Sequence, residues 1–195
     1  MIVSLSGIAG SGKSNIGKKA ADILGWQFVP QPDNPFLIPF YRDPERWAFP
    51  SQLFFIIEFF KSISLDNDAI YEHNIHESML FARAQLEVGY IQLPEYKLLT
   101  SIYHELSPIW PNTIFLIDTP CTITSSRLLS RQQLNELSLD YGKGMIYLKK
   151  LHDLYASWKP NCRLIKMSHS DIDRRTVENP EKKLSDIIRE LKSHE

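Results

Sequence analysis

The sequence predicts an α/β fold built on a five-stranded parallel sheet, and three observations carry that prediction. Short apolar runs alternate with stretches of helical periodicity along all 195 residues. One run, Thr113-Ile114-Phe115-Leu116-Ile117, is uninterrupted and ends at Asp118, as a strand buried on both faces of a parallel sheet does. The third is the glycine-rich stretch Gly7-Ile8-Ala9-Gly10-Ser11-Gly12-Lys13-Ser14, which joins an apolar run to a helical pattern.

In order, Ile2-Val3-Ser4-Leu5-Ser6 is the first strand, and Ile16, Ala20, Ile23 and Leu24 mark a helix that ends at Gly25 in a C-cap position. A short second strand is placed at 27–29. Pro30, Pro32, Pro35 and Pro39 then predict an extended, rigid segment. Leu53, Ile56, Ile57 and Phe60 recur at helical spacing, which predicts a helix over 50–64. A third strand follows at 69–71, with helices over 78–87 and 95–106. After the fourth strand at 113–117 come helices over 124–131 and 141–158, a fifth strand over 163–167 and a closing helix over 180–191.

Bulk composition excludes several classes. Charge is balanced, with 22 Lys and Arg against 23 Asp and Glu, so no strong field invites nucleic acid or an anionic membrane. The longest apolar stretch, Leu53 to Phe60, is short and holds Glu58, so no transmembrane helix is expected. Cys121 and Cys162 lie far apart without metal-ligand spacing. Together with a strand that starts at once, they predict a reduced, cytoplasmic protein. The length fits one domain over 1–195.

The motif at Gly7–Ser14 has a physical meaning. Its glycines, Gly7, Gly10 and Gly12, let backbone N–H groups, that of Ser11 among them, approach a polyphosphate. Lys13 reaches the outer phosphates and the Ser14 hydroxyl holds Mg²⁺. The phosphates lie on a helix N-terminus, where the macrodipole favours negative charge. Nucleotide binding follows, with Mg²⁺ beside the phosphates. No Asn-Lys-x-Asp segment of the GTPase kind is present. Small size and long amphipathic helices between short strands favour a kinase of small molecules over a motor ATPase.

Further residues narrow the class. The stretch Phe40-Tyr41-Arg42-Asp43-Pro44-Glu45-Arg46-Trp47-Ala48-Phe49, followed by Gln52, resembles the substrate-side signature of the deoxynucleoside kinases. So do Ile114 to Pro120, the spaced Arg127, Arg131 and Glu136, and Tyr147-Leu148-Lys149-Lys150-Leu151-His152 with Trp158. The likeness extends over nearly the whole chain. It implies a three-layer α/β/α P-loop kinase fold, ATP-dependent phosphorylation of a nucleoside 5′-hydroxyl, and a homodimer formed through a helix pair.

Site roles follow from the same resemblance. Gln52 pairs with the nucleobase, and its amide offers the acceptor and donor a base edge needs. Tyr41 and Glu136 hold the sugar 3′-hydroxyl. Trp47, Phe55, Phe59 and Phe81 shape the acceptor pocket, and Arg127 and Arg131, in a lid segment over 127–140, clamp the transferring phosphoryl. Glu72, in Glu72-His73-Asn74, stands where the family has an acid before Arg-Ser/Thr, and helps hold Mg²⁺.

The chain departs from the family at several points. Gln31-Pro32 replaces Glu-Pro, and glutamine cannot accept the hydroxyl proton. Asp33, two residues on, is the substitute base or a turn-forming residue. His73 stands for an arginine and Gln133 for another. Phe59 and Ser78 occupy the places of a salt-bridged arginine and aspartate, which resembles the thymidine-accepting branch. Two alternatives therefore stay open beside the nucleoside kinase: a nucleotide-binding protein of kinase fold with impaired catalysis, and a kinase for a nucleoside monophosphate or other small hydroxyl compound.

Overall fold

The computed structural model describes residues 1–63, 67–106, 113–130, 141–172 and 178–193. Five strands, β1 (Ile2–Ser6), β2 (Gln27–Val29), β3 (Ala69–Tyr71), β4 (Thr113–Asp118) and β5 (Arg163–Ser168), form an all-parallel sheet in the order β2-β3-β1-β4-β5. Ser4 of β1 pairs with Tyr71 on one side and Ile114 on the other. The chain runs from β1 toward β2 and from β4 toward β5, so the connections leave in opposite directions at the β1–β4 boundary. Open α/β sheets bind ligands at such a crevice, beyond the carboxyl ends of the strands.

The helices are α1 (Lys13–Leu24), α2 (Leu37–Arg42), α3 (Pro44–Ser62), α4 (Ile75–Glu87), α5 (Leu93–Leu106), α6 (Cys121–Ser130), α7 (Tyr141–Ala156), α8 (His169–Ile172) and α9 (Pro180–Lys192). Strand side chains alternate between two cores. Val3, Leu5, Phe115 and Ile117 face a cluster with Ile16 and Ala20 of α1 and Leu184 and Ile188 of α9. Tyr71 and Leu116 face the other, with Phe55, Ile75, Leu99 and Leu151 from α3, α4, α5 and α7. Three layers result, as the resemblance implies.

The strands fall where the periodicity puts them, and Gly25 closes α1 with φ of 68°. Four helical expectations need correction. The segment expected to stay extended through Pro39 turns into α2 at Leu37. Pro39 is the third residue of that helix, where its missing N–H costs no intrahelical bond. The next helix starts at Pro44, not near Pro50, which lies inside it. The carbonyl that Pro50 leaves without a partner belongs to the exposed Arg46, so water can satisfy it. α4 begins at Ile75, not Ser78, because the Asn74 side chain caps it by accepting from the Glu77 N–H at 2.8 Å. α6 begins at Cys121 rather than Thr124, directly after Pro120. The short α8 carries no periodic signal of its own.

Candidate active site at the phosphate loop

The loop after β1 turns sharply at Gly7, whose φ is 144°; a Cβ there would lie 2.7 Å from the Ile117 carbonyl oxygen. Only glycine fits so close to β4. The Lys13 ammonium folds back over the loop, donating to the Gly7 carbonyl and, at 3.3 Å, to that of Ile8. Thr119, just past β4, donates to the Ser11 carbonyl at 3.4 Å. Arg127 of α6 reaches the same place: its Nη1 donates to the carbonyls of Gly10 and Ser11 at 3.1 and 3.3 Å. The Ser11 hydroxyl is buried and has no hydrogen-bond partner among the described residues.

Glu72 stands at the end of β3 beside the loop. Its Oε1 accepts from the Ser14 hydroxyl, and its Oε2 from the Gln31 backbone N–H at 3.2 Å. A serine hydroxyl against one carboxylate is a hard-oxygen set of the kind Mg²⁺ takes when phosphate oxygens and water complete its shell.

One residue here carries more than sequence reasoning assigned to it. Glu77, in the first turn of α4, is 1% exposed. It accepts from the Gly7 N–H at 2.7 Å and from the Tyr155 hydroxyl of α7. Its other oxygen lies 2.6 Å from His73 Nδ1. Burial alone would raise the Glu77 pKa, but His73, Lys13 and the Tyr155 hydroxyl outweigh it and hold the carboxyl below its usual value. The same His73 Nδ1 accepts the Asn74 backbone N–H at 2.9 Å, which fixes the ring beside the carboxylate. The Tyr155 phenol is driven well up by burial and then by the Glu77 charge. Asn74 followed three residues later by Glu77 is the available sequence signal, since it reads as a helix start. Contact with Gly7, seventy residues away, has no local signature.

The acceptor side is fixed by a small staple. The Asn34 amide donates to the carbonyl and hydroxyl of Ser51 at 3.1 and 2.9 Å, while its oxygen accepts from the Phe36 N–H. This ties the proline-rich segment to α3 and turns both Gln31 and Gln52 toward one cavity of about 130 Å³. Gly7, Ile8, Ala9 and Lys13 of the loop line that cavity too. Gln52 is 4% exposed. Tyr41, Phe55, His73 and Phe81 complete much of the wall, with Gln85 of α4 and Tyr147 of α7.

Three expected pocket residues sit elsewhere. Asp33 is exposed and does not line the cavity. Trp47 stacks on Phe36, centroids 5.8 Å apart, beneath the Arg46 guanidinium. Phe59 lies behind the wall, stacked on Phe55 at 5.7 Å and 4.8 Å from the His73 ring, with Ser78 buried on α4. Arg131, Gln133 and Glu136, and the expected lid from 131 on, lie outside the described residues. A second cavity of about 530 Å³ opens beyond β4 and β5 and shares Gly7 and Ile8 with the first. Among the described residues no helix is long and apolar enough to cross a membrane.

Comparison with known proteins agrees with this geometry. A family model described as deoxynucleoside kinase matches residues 3–194. The chain is 28% identical over 199 residues to a deoxyadenosine/deoxycytidine kinase of Bacillus subtilis, covering 96% of this chain and 91% of that one. It is also 28% identical over 170 residues to a deoxyguanosine kinase of Lactobacillus johnsonii, covering 80% and 75%. A solved deoxyadenosine kinase from M. mycoides, with products dCMP and a flexible dCDP bound, superposes with a TM-score of 0.80 at 17% identity over the whole of both chains. That likeness speaks to the fold.

Proposed function

The chain belongs to the deoxynucleoside kinase family, and from that membership we propose that it transfers the γ-phosphoryl group of ATP to the 5′-hydroxyl of a deoxynucleoside. The observation that carries this reading is the shared cavity: the phosphate loop and the Gln52 and Tyr41 side chains face one space. Donor and acceptor can therefore meet without crossing solvent.

Phosphoryl transfer depends on positioning and charge neutralisation more than on covalent chemistry. Backbone N–H groups of the loop and the Ser11 hydroxyl hold the phosphates, and Lys13 swings from the loop carbonyls to the outer oxygens. Arg127 anchors the loop, and Arg131 joins it against the transferring group. Ser14 and Glu72 would hold Mg²⁺, which would supply charge neutralisation at the phosphate oxygens. Gln52 pairs with the base, Phe55 and Phe81 flank it, and Tyr41 and Glu136 hold the sugar. Phe59 and Trp47 set the shape of the wall from behind. The Gln31 amide hydrogen-bonds the 5′-hydroxyl. The new O–P bond forms as the bond to the leaving diphosphate breaks, and the hydroxyl proton passes to a phosphoryl oxygen and on to solvent.

The chain works in this reading as one domain and as a homodimer. Ile57 and Phe60, one turn apart on α3, are 40% and 44% exposed, and Leu98 of the neighbouring α5 is 50% exposed. Sedimentation equilibrium giving the mass of two chains supports the dimer, and a single-chain mass refutes it. Label transfer from γ-labelled ATP to a panel of the four common deoxynucleosides tests the activity. Labelled 5′-monophosphate from at least one is expected; absence of product from all would refute it.

A further inference from the structure

Gln85 lies on α4 two turns beyond Glu77 and is 1% exposed. It lines the acceptor cavity, and its Oε1 has no hydrogen-bond partner among the described residues. The other half of the amide faces the buried Tyr147 hydroxyl: burial drives that phenol up, and the Gln85 amide beside it pulls the other way. A buried amide left half unsatisfied costs on the order of 1–3 kcal/mol, so such groups are held for a partner. Turning the amide by 180° exchanges which half is left over, not whether one is. A partner that can both donate and accept suits either orientation, as a hydroxyl does.

The surroundings say which hydroxyl. Tyr147 packs edge-on against Phe40 at 6.0 Å, and Phe40 lies 5.4 Å from Tyr41, so Gln85 shares its wall with the tyrosine assigned to the sugar. The aromatic rings around His73 lie on α3 and further back on α4. We propose that Gln85 is a specificity-determining residue of the acceptor site, whose amide hydrogen-bonds the 3′-hydroxyl of the nucleoside sugar beside Tyr41. Tyr147 holds the amide in place for that contact. The inference rests on the nucleoside kinase reading and adds to it the group that reads the sugar.

The test pairs each of the four 2′-deoxynucleosides with its 2′,3′-dideoxy counterpart, in wild type and in Gln85→Met, a side chain of similar length without the amide. For the pair whose deoxy member turns over fastest, kcat/KM is measured with both sugars. Wild type should favour the 3′-hydroxyl, and in Gln85→Met that preference should shrink about tenfold, with KM for ATP unchanged. An equal preference in both proteins overturns the proposal. In the unmodified protein, the Gln85 side-chain amide resonance should move on titration with the deoxynucleoside and stay put with the dideoxy form. Movement with both, or with neither, also overturns it. Absence of turnover with every nucleoside refutes the kinase reading and this inference with it, whereas turnover with an unchanged sugar preference refutes this inference alone.

Discussion

At position 31 a side-chain amide stands in the cavity where the family resemblance calls for a carboxylate. An amide can orient a hydroxyl but cannot take its proton, and a positioned base typically contributes 10²–10⁴-fold. Gln31→Glu should therefore raise kcat by about 10²-fold over the base-free route, with little change in KM for ATP; steady-state kinetics showing no gain would overturn this expectation. The identity of this residue was legible in the sequence, because Gln31-Pro32 follows the second strand at a readable spacing. The place of Asp33 was not. Whether a side chain two residues on turns inward is decided by the Asn34–Ser51 staple, a contact across seventeen positions. The contacts of Glu77 were hidden for the same reason: its partners Gly7 and Tyr155 come from the loop after β1 and from α7, brought together only by the fold.

Among the elements, the strands were the most readable: β4 is an unbroken apolar run buried in the sheet, and β1 and β3 beside it are short buried runs. Helix starts were the least, and prolines account for two of the four corrections. Pro39 and Pro50 read as barriers, but one occupies a first turn and the other leaves only an exposed carbonyl bare. Element packing also carries a pH dependence. His76 of α4 and Tyr103 of α5 share a hydrogen bond of 2.8 Å across the helix pair. Burial lowers the His76 pKa from its usual value to about 4. The folded imidazole thus stays neutral at pH values where the unfolded one is protonated, and the unfolded state takes up the extra proton. Stability from this residue is complete above about pH 6.5 and falls by about 3 kcal/mol as pH drops toward 4. Urea unfolding at several pH values checks it, and His76→Phe should flatten that part of the profile.

For the molecule as a whole, the two cores and the sheet order put the phosphate loop at the β1–β4 crevice, and the acceptor wall is assembled from α2, α3, α4 and α7 on one face of the sheet. The sequence showed the donor loop nearly complete, because its chemistry lies in eight consecutive residues. The acceptor wall was legible only in part, because it is gathered from helices far apart in the chain. Glu77 joins the two halves: one carboxylate oxygen holds the Gly7 N–H of the donor loop, and the other meets His73 in the acceptor wall. A shift of that carboxylate on filling one side would alter the other, which predicts that the two ligands are thermodynamically linked. The factor by which a non-hydrolysable ATP analogue tightens nucleoside binding must equal the factor by which the nucleoside tightens the analogue, and couplings of this kind run about 5–150-fold. Calorimetric titrations in both orders measure it, and Glu77→Gln, which keeps the shape but loses the charge, should bring the factor toward one. An enzyme wired in this way commits to a donor and an acceptor together, and holds either one alone more loosely.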